Sequence, residues 1–200
     1  MAGQPSTGRG RASRERIVTH AADLFAERGV SATSLDDVLA AAGAGKGQFY
    51  HYFRSRDELV EAAVGLRCQH VLSELSQALG SVASMAELAE SLAGFVQRFE
   101  LMGLPGCPIG TLATQVVESN EGARLQAASA FDAWEKLFAD ALVRIRDRGE
   151  LRSDASPEQL ATALLASLEG GMMLSMTRKE PTSMRIAMDA GLAQVQKFRT

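Results

Sequence analysis

Lys46, Gln48, Tyr50 and His51 fall within one short run, K-G-Q-F-Y-H. Together they offer a cation, an amide, a phenol and an imidazole, all able to reach phosphate oxygens or base edges; glutamine is a usual partner of adenine. On a helix turning ~100° per residue, Lys46, Gly47, Tyr50 and His51 share one arc. Phe49, Tyr52 and Phe53 cluster on the other, where they would anchor the helix in a small core. Gln48 lies between the arcs but near the helix start, within reach of a base. Gly47 removes a side chain where the backbone would approach a duplex closely. The chemistry these types and spacings support is the non-covalent reading of double-stranded DNA.

The elements that must hold these residues are legible on either side. Ser34 with Asp37 is an N-terminal cap signature. Leu35, Val38 and Leu39 then form an apolar face, and Gly43 closes that helix as a C-terminal glycine. The turn Gly43-Ala44-Gly45 leads into a second short helix from Lys46 to about Tyr52. Two short helices joined by a glycine-containing turn make a helix-turn-helix, whose second helix lies in the major groove. A short amphipathic surface helix would show the same two faces. Here cap, turn, glycines and cation all stand where a groove reader needs them.

The segment G-A-G-K-G-Q-F-Y-H-Y-F followed by R-S-R-D-E-L resembles the recognition helix of TetR-family transcriptional repressors. A-A-D-L-F-A-E-R-G-V-S-A-T-S-L-D-D-V-L-A-A-A-G is similar to that family's first two helices. The likeness is specific over residues 13 to 65. Gly45 departs from the family's usual capping side chain, and Gln48 stands where threonine is common. The first loosens the start of the recognition helix; the second bears on which operator is read. The resemblance implies a dimer formed through the last two helices as a four-helix bundle, and repression as the outcome of binding.

The net charge is −3 over 200 residues, which by itself argues against DNA. Its distribution reverses that impression: residues 1 to 56 carry eight Lys/Arg against five Asp/Glu, and the remainder 13 against 19. Affinity for DNA follows the local cations that displace phosphate counterions. Arg9, Arg11, Arg14 and Arg16 are opposed in sequence only by Glu15, and Lys46, Arg54 and Arg56 stand in a run without an acid.

Expected DNA contacts are therefore Lys46, Gln48 and Tyr50 at bases or adjacent phosphates, with Gly47 allowing close approach. Thr33, Ser34, His51 and Arg56 are expected at phosphates, aided by the helix N-termini at Ser34 and Ser55. Arg9 and Arg11 would enter the minor groove or remain loose.

The chain as a whole reads as all-α. Residues 1–12 are polar and glycine-rich, a flexible basic arm. Residues 13–57 form a three-helix DNA-binding domain, with Ser13 capping the first helix. A long helix opened by Ser55 and Glu58 runs to about Gly80 and joins that reader to a helical ligand-binding and dimerisation domain, 58–200. Helices are expected from Ser84 to about Met102, Ile109 to Ser119, after Asn120 to Gly149, after Ser156 to about Lys179, and from Thr182 to near Phe198. Residues 158 to 179 carry more apolar width than one stripe needs. Gly170-Gly171 within them costs about 1 kcal/mol per glycine relative to alanine. Close approach of a ligand or of another helix would give a reason to keep them.

A two-state switch needs a ligand that binds one arrangement better. Aromatic and methionine side chains line adaptable apolar sites, so the pocket candidates are Phe95, Phe99, Met102, Phe131, Trp134, Phe138, Met172, Met173 and Met176, with Cys107 beside them. Each is also an ordinary core residue. The segment G-C-P-I-G-T-L-A, 106–113, resembles one in TetR-like regulators of multidrug efflux. Cys107 sits before a helix N-terminus, where a thiol is activated, and an electrophile-sensing role competes with that of an inert cysteine.

Cys68, Cys107 and the scattered His20, His51 and His70 show no metal spacing, so no cofactor or metal is expected. No apolar run reaches the ~18 residues that span a bilayer, and a cytoplasmic protein is expected. The phosphate-loop echo in G-A-G-K-G fails, because Ala40 replaces the first glycine and Gly47 the Ser/Thr. An all-helical enzyme or an architectural DNA binder without a ligand remain as alternatives.

Overall fold

Helix-forming runs separated by glycine, proline and Ser/Thr/Asn caps account for every element of the chain. The computed structural model describes residues 7–200. They form α1 Gly8–Arg28, α2 Leu35–Ala42, α3 Lys46–Tyr52, α4 Arg56–Leu79, α5 Met85–Leu101, α6 Pro108–Val116, α7 Glu121–Asp147, α8 Pro157–Arg178 and α9 Thr182–Gln196. Among the described residues the only extended pairing is a single antiparallel bridge, Leu151 to Arg199.

The chain divides into two compact units. One holds the described residues up to His70 together with Pro108–Ala130; the other holds Val71–Cys107 and Phe131–Thr200. That division differs from a boundary at residue 57, because α6 and the start of α7 fold back onto the first unit. Such a return depends on contacts distant in sequence, which local periodicity does not carry.

In the first unit, Ile17, Phe25, Phe49, Phe53, Leu59 and Val64 are almost wholly buried, each large side chain contributing roughly 1.5–3 kcal/mol. Phe49 stacks on Phe53 at 5.3 Å between ring centroids. α1 begins earlier than expected: Thr7 is its cap, accepting from the Gly10 N–H at 3.1 Å. Residues 8–12 are therefore helical rather than a loose arm; residues 1–6 lie outside the described residues. Ser13, expected as the cap, is instead buried inside α1.

In the second unit, α8 and α9 pack so closely that a Cβ on Gly171 would come within 2.9 Å of Ala187, and one on Gly191 within 3.1 Å of Leu164. Glycine at 171 is needed for helix contact within one chain, and at 191 a side chain would crowd Leu164. Gly170 differs, since a Cβ there would meet open space. By length and composition α8 is apolar enough to cross a membrane, unlike the expectation from sequence, but nearly half of that stretch is buried in the fold.

Candidate nucleic-acid interface

The two-helix core is fixed by local chemistry. The Ser34 hydroxyl accepts from the Asp37 N–H at 3.1 Å while the Asp37 carboxylate accepts from the Ser34 N–H at 2.9 Å, a reciprocal capping box. Hydrogen bonds from the Ser34 side chain and backbone hold the Asp37 carboxyl below its ordinary value. Gly43 ends α2 in the left-handed region at φ +59°, where a non-glycine residue would be strained. The Arg16 guanidinium donates to the Ala42 carbonyl at 2.8 Å, capping the same end with a positive charge. Gly45 then starts α3 with no side-chain cap.

The faces of α3 separate as its periodicity requires. Phe49, Tyr52 and Phe53 are buried, whereas Lys46, Gly47, Tyr50 and His51 are exposed. Tyr50 is 61 % exposed, its ring meeting only the edge of Phe49 at 5.1 Å. A Cβ on Gly47 would touch nothing in the chain, so nothing within the protein demands glycine there. An outside surface pressed against α3 would.

Three of the sequence-expected contacts are committed inward. The Thr33 side chain is buried, and its hydroxyl donates to the Gly29 carbonyl at 2.8 Å. The Arg56 guanidinium donates to the carbonyls of Val30 and Thr33 and lies 5.9 Å over the Phe25 ring. The Gln48 amide donates to the Ser13 hydroxyl on α1. Without DNA these groups fasten the turn and the helices, so each would have to exchange an internal bond to meet a phosphate or a base. Arg14, 5.0 Å over Phe53, joins them as packing. The sequence offers no signal for the Gln48 and Arg56 bonds, because their partners lie more than 20 residues away.

Lys46 was expected without an acid, yet its ammonium sits 3.0 Å from Asp36. Both are well exposed, and such pairs are worth about 0–1 kcal/mol, so a phosphate can replace the carboxylate cheaply. Asp36 and Asp37 in the first turn of α2, and Asp57 and Glu58 in that of α4, favour their own helices. They oppose phosphate at the two N-termini, so anion binding there is weaker than the helix ends alone imply.

Residues 17–63 match the family described as "Bacterial regulatory proteins, tetR family". Residues 81–190 match "Transcriptional regulator LmrA/YxaF-like, C-terminal domain". The HTH-type transcriptional regulator YxaF of Bacillus subtilis (strain 168) is 31% identical over 179 residues, covering 85% of this chain and 88% of its own.

This chain belongs to the TetR family of transcriptional regulators.

The HTH-type transcriptional repressor DhaR of Mycobacterium sp. (strain GP1) is 29% identical over 80% of each chain. The crystal structure of a TetR-family regulator from Cytophaga hutchinsonii superposes with a TM-score of 0.83 at 19% identity, covering 98% of this chain and 99% of that one. That likeness is one of fold. The helix-turn-helix just described lies within residues 17–63, the part matched by that family of bacterial regulatory proteins.

The second unit of this TetR-family chain redistributes the expected pocket residues. Phe99, Cys107, Trp134, Phe138 and Met172 are buried; Phe95 and Phe131 are half-buried. Phe95 meets Phe138 edge-on at 6.4 Å. Met102, Met173 and Met176 are 59 %, 59 % and 40 % exposed in the single chain. Two clefts in this unit are open ones: Leu92, Val96, Glu100, Arg185 and Met188 line one, and Leu104, Met176, Lys179 and Pro181 border another. Two buried polar atoms in this unit have no hydrogen-bonding partner, Trp134 Nε1 and Glu169 Oε1. Glu169 also hydrogen-bonds Cys107.

Burial pushes the Glu169 carboxyl above its ordinary value of 4.5. A raised acid favours folding only while protonated in the native state, so its contribution is lost as pH climbs from about 4.5 through the elevated value. Glu169→Gln is therefore expected to flatten the alkaline side of the stability profile. Its Tm should gain on the parent as pH rises from 5 to 8, as read by differential scanning calorimetry. Parallel profiles would show that this carboxyl does not titrate in that window.

Proposed function

We propose that this TetR-family regulator is a cytoplasmic repressor that binds a palindromic operator as a homodimer and is released by a small, mostly apolar molecule. The observation that carries the DNA-reading half is the exposed face of α3, where Lys46, Tyr50 and His51 flank a glycine that nothing inside the chain requires. Lys46 and Tyr50 contact bases or the phosphates beside them; Ser34 and His51 contact phosphates. Repression is supported by the name of DhaR, a repressor.

Dimer formation is supported by what α8 and α9 leave uncovered. Ala166, Gly170, Met173 and Leu174 on α8, and Ile186, Ala190 and Ala193 on α9, are exposed. Small residues with a few large apolar ones suit close helix packing against a second copy. Two protomers then present two recognition helices about one turn of DNA apart. Met173→Arg combined with Ile186→Arg is expected to convert the dimer to monomer in sedimentation and to weaken operator binding more than tenfold. A double variant that still sediments as a dimer would place the interface elsewhere.

Ligand control is supported by the buried aromatic set around Trp134 and Phe138, the kind of lining that adaptable apolar sites use. Cys107 is only 6 % exposed, which gives an electrophile little access and favours the binding reading over covalent sensing. The direct test is a thermal-shift screen with planar apolar compounds, followed by displacement from DNA. Stabilising compounds that leave DNA binding intact would oppose the proposal.

A further inference from the structure

The turn between α1 and α2 is held from outside the helix-turn-helix. Gly29 ends α1 at φ +89°, so the Val30 N–H has no carbonyl one helical turn back to receive it. The Gln115 side-chain oxygen on α6 accepts that N–H at 2.7 Å, while the Gln115 amide nitrogen donates to the Thr111 carbonyl at 3.0 Å. The amide is thus fixed in one orientation with its oxygen on Val30. A Cβ on Gly29 would come within 3.1 Å of that oxygen, so glycine there serves both the backbone angle and the approach of Gln115.

The opposite side of the turn is held by Arg56, donating to the Val30 and Thr33 carbonyls, and by the Thr33 hydroxyl on Gly29. Releasing the Gln115 bond would leave the largely buried Val30 N–H unpaired, a costly state for a backbone donor. The same return segment grips α4: Asn120 donates its side-chain amide to the Asp57 carbonyl at 3.0 Å. A Cβ on Gly122 would lie 2.5 Å from the Glu61 carboxylate.

We propose that α6 and the start of α7 are part of the DNA-reading machinery, and that Gln115 is a positioning residue. It sets operator affinity through the α1–α2 turn without touching DNA. This rests on the DNA-reading role of α3 given above. Because Ser34 follows the turn directly and Gly43 couples α2 to α3, a turn freed at Val30 lets the recognition helix shift on α1.

The test compares Gln115→Leu, which keeps the bulk and loses the acceptor, with Gln115→Glu, which retains an acceptor oxygen. Both are titrated against a labelled fragment of upstream DNA that the parent protein binds. The Leu variant should bind about five- to tenfold more weakly, with the parent's salt slope and with faster amide exchange at Val30. The Glu variant should recover most of the affinity. Parent-like binding by Gln115→Leu, equal losses in both variants, or a reduced salt slope would each overturn the assignment. Failure of the parent itself to bind any such fragment would instead sink the DNA-reading role on which the proposal stands.

Discussion

Lys46→Ala and Tyr50→Ala each lose ~1–3 kcal/mol of operator binding, the range for a base or adjacent contact, and the double variant falls below detection in a mobility-shift assay. Folding should change little. Lys46 gives up one exposed ion pair with Asp36, worth at most about 1 kcal/mol. Tyr50 gives up one edge contact with Phe49, about 0.5–1.5 kcal/mol. Tyr50→Phe separates the two functions of the ring, keeping the Phe49 contact while removing the hydroxyl. If hydrogen bonding to DNA is what Tyr50 supplies, the Phe variant binds as weakly as the Ala variant. Parent-like affinity in both alanine variants would show that this face of α3 does not meet DNA.

Phe49→Ala should produce the largest loss of stability in the first unit. The ring is fully buried and stacked on Phe53, and truncating a core phenylalanine costs about 3–5 kcal/mol through lost transfer energy and the cavity left behind. That is comparable to the whole stability of a small domain. DNA binding should vanish together with the protection of α1–α3 amides, whereas the protein should still sediment as a dimer, because α8 and α9 lie in the other unit. Loss of DNA binding with those amides still protected would mean that Phe49 acts on the interface directly. This pattern also separates Phe49 from Lys46 and Tyr50, whose variants keep the protection and lose only the DNA.

Local signals in the sequence located most of this architecture. The Ser34–Asp37 pair, Gly43 and the two-faced pattern of 46–53 each report on neighbours three or four residues away, and α2 and α3 follow from them. The start of α1 was hidden because Thr7 caps a turn containing Gly8 and Gly10, residues that favour loops when read alone. Thr33, Gln48 and Arg56 are polar residues of the kind that touch DNA, and composition cannot show that their partners are Gly29, Ser13 and the Val30 carbonyl. Gln115 was invisible for the same reason, lying 85 residues from its partner. In the second unit, periodicity places Trp134 and Phe138 on one apolar stripe but reads Met172, Met173 and Met176 alike. It could not show that Met173 and Met176 belong to the uncovered side of α8, because that helix is apolar nearly all round.

The most direct test of the central claim is the salt dependence of binding to DNA upstream of the gene, measured by fluorescence anisotropy on the parent protein and on Lys46→Ala. Paired readers on a duplex predict two protomers per site and a linear fall of log affinity with log salt. The slope for a dimer carrying Lys46→Ala should be shallower by about two ions, one per protomer. Affinity indifferent to salt, or a Lys46→Ala variant unchanged in both affinity and slope, would contradict the account.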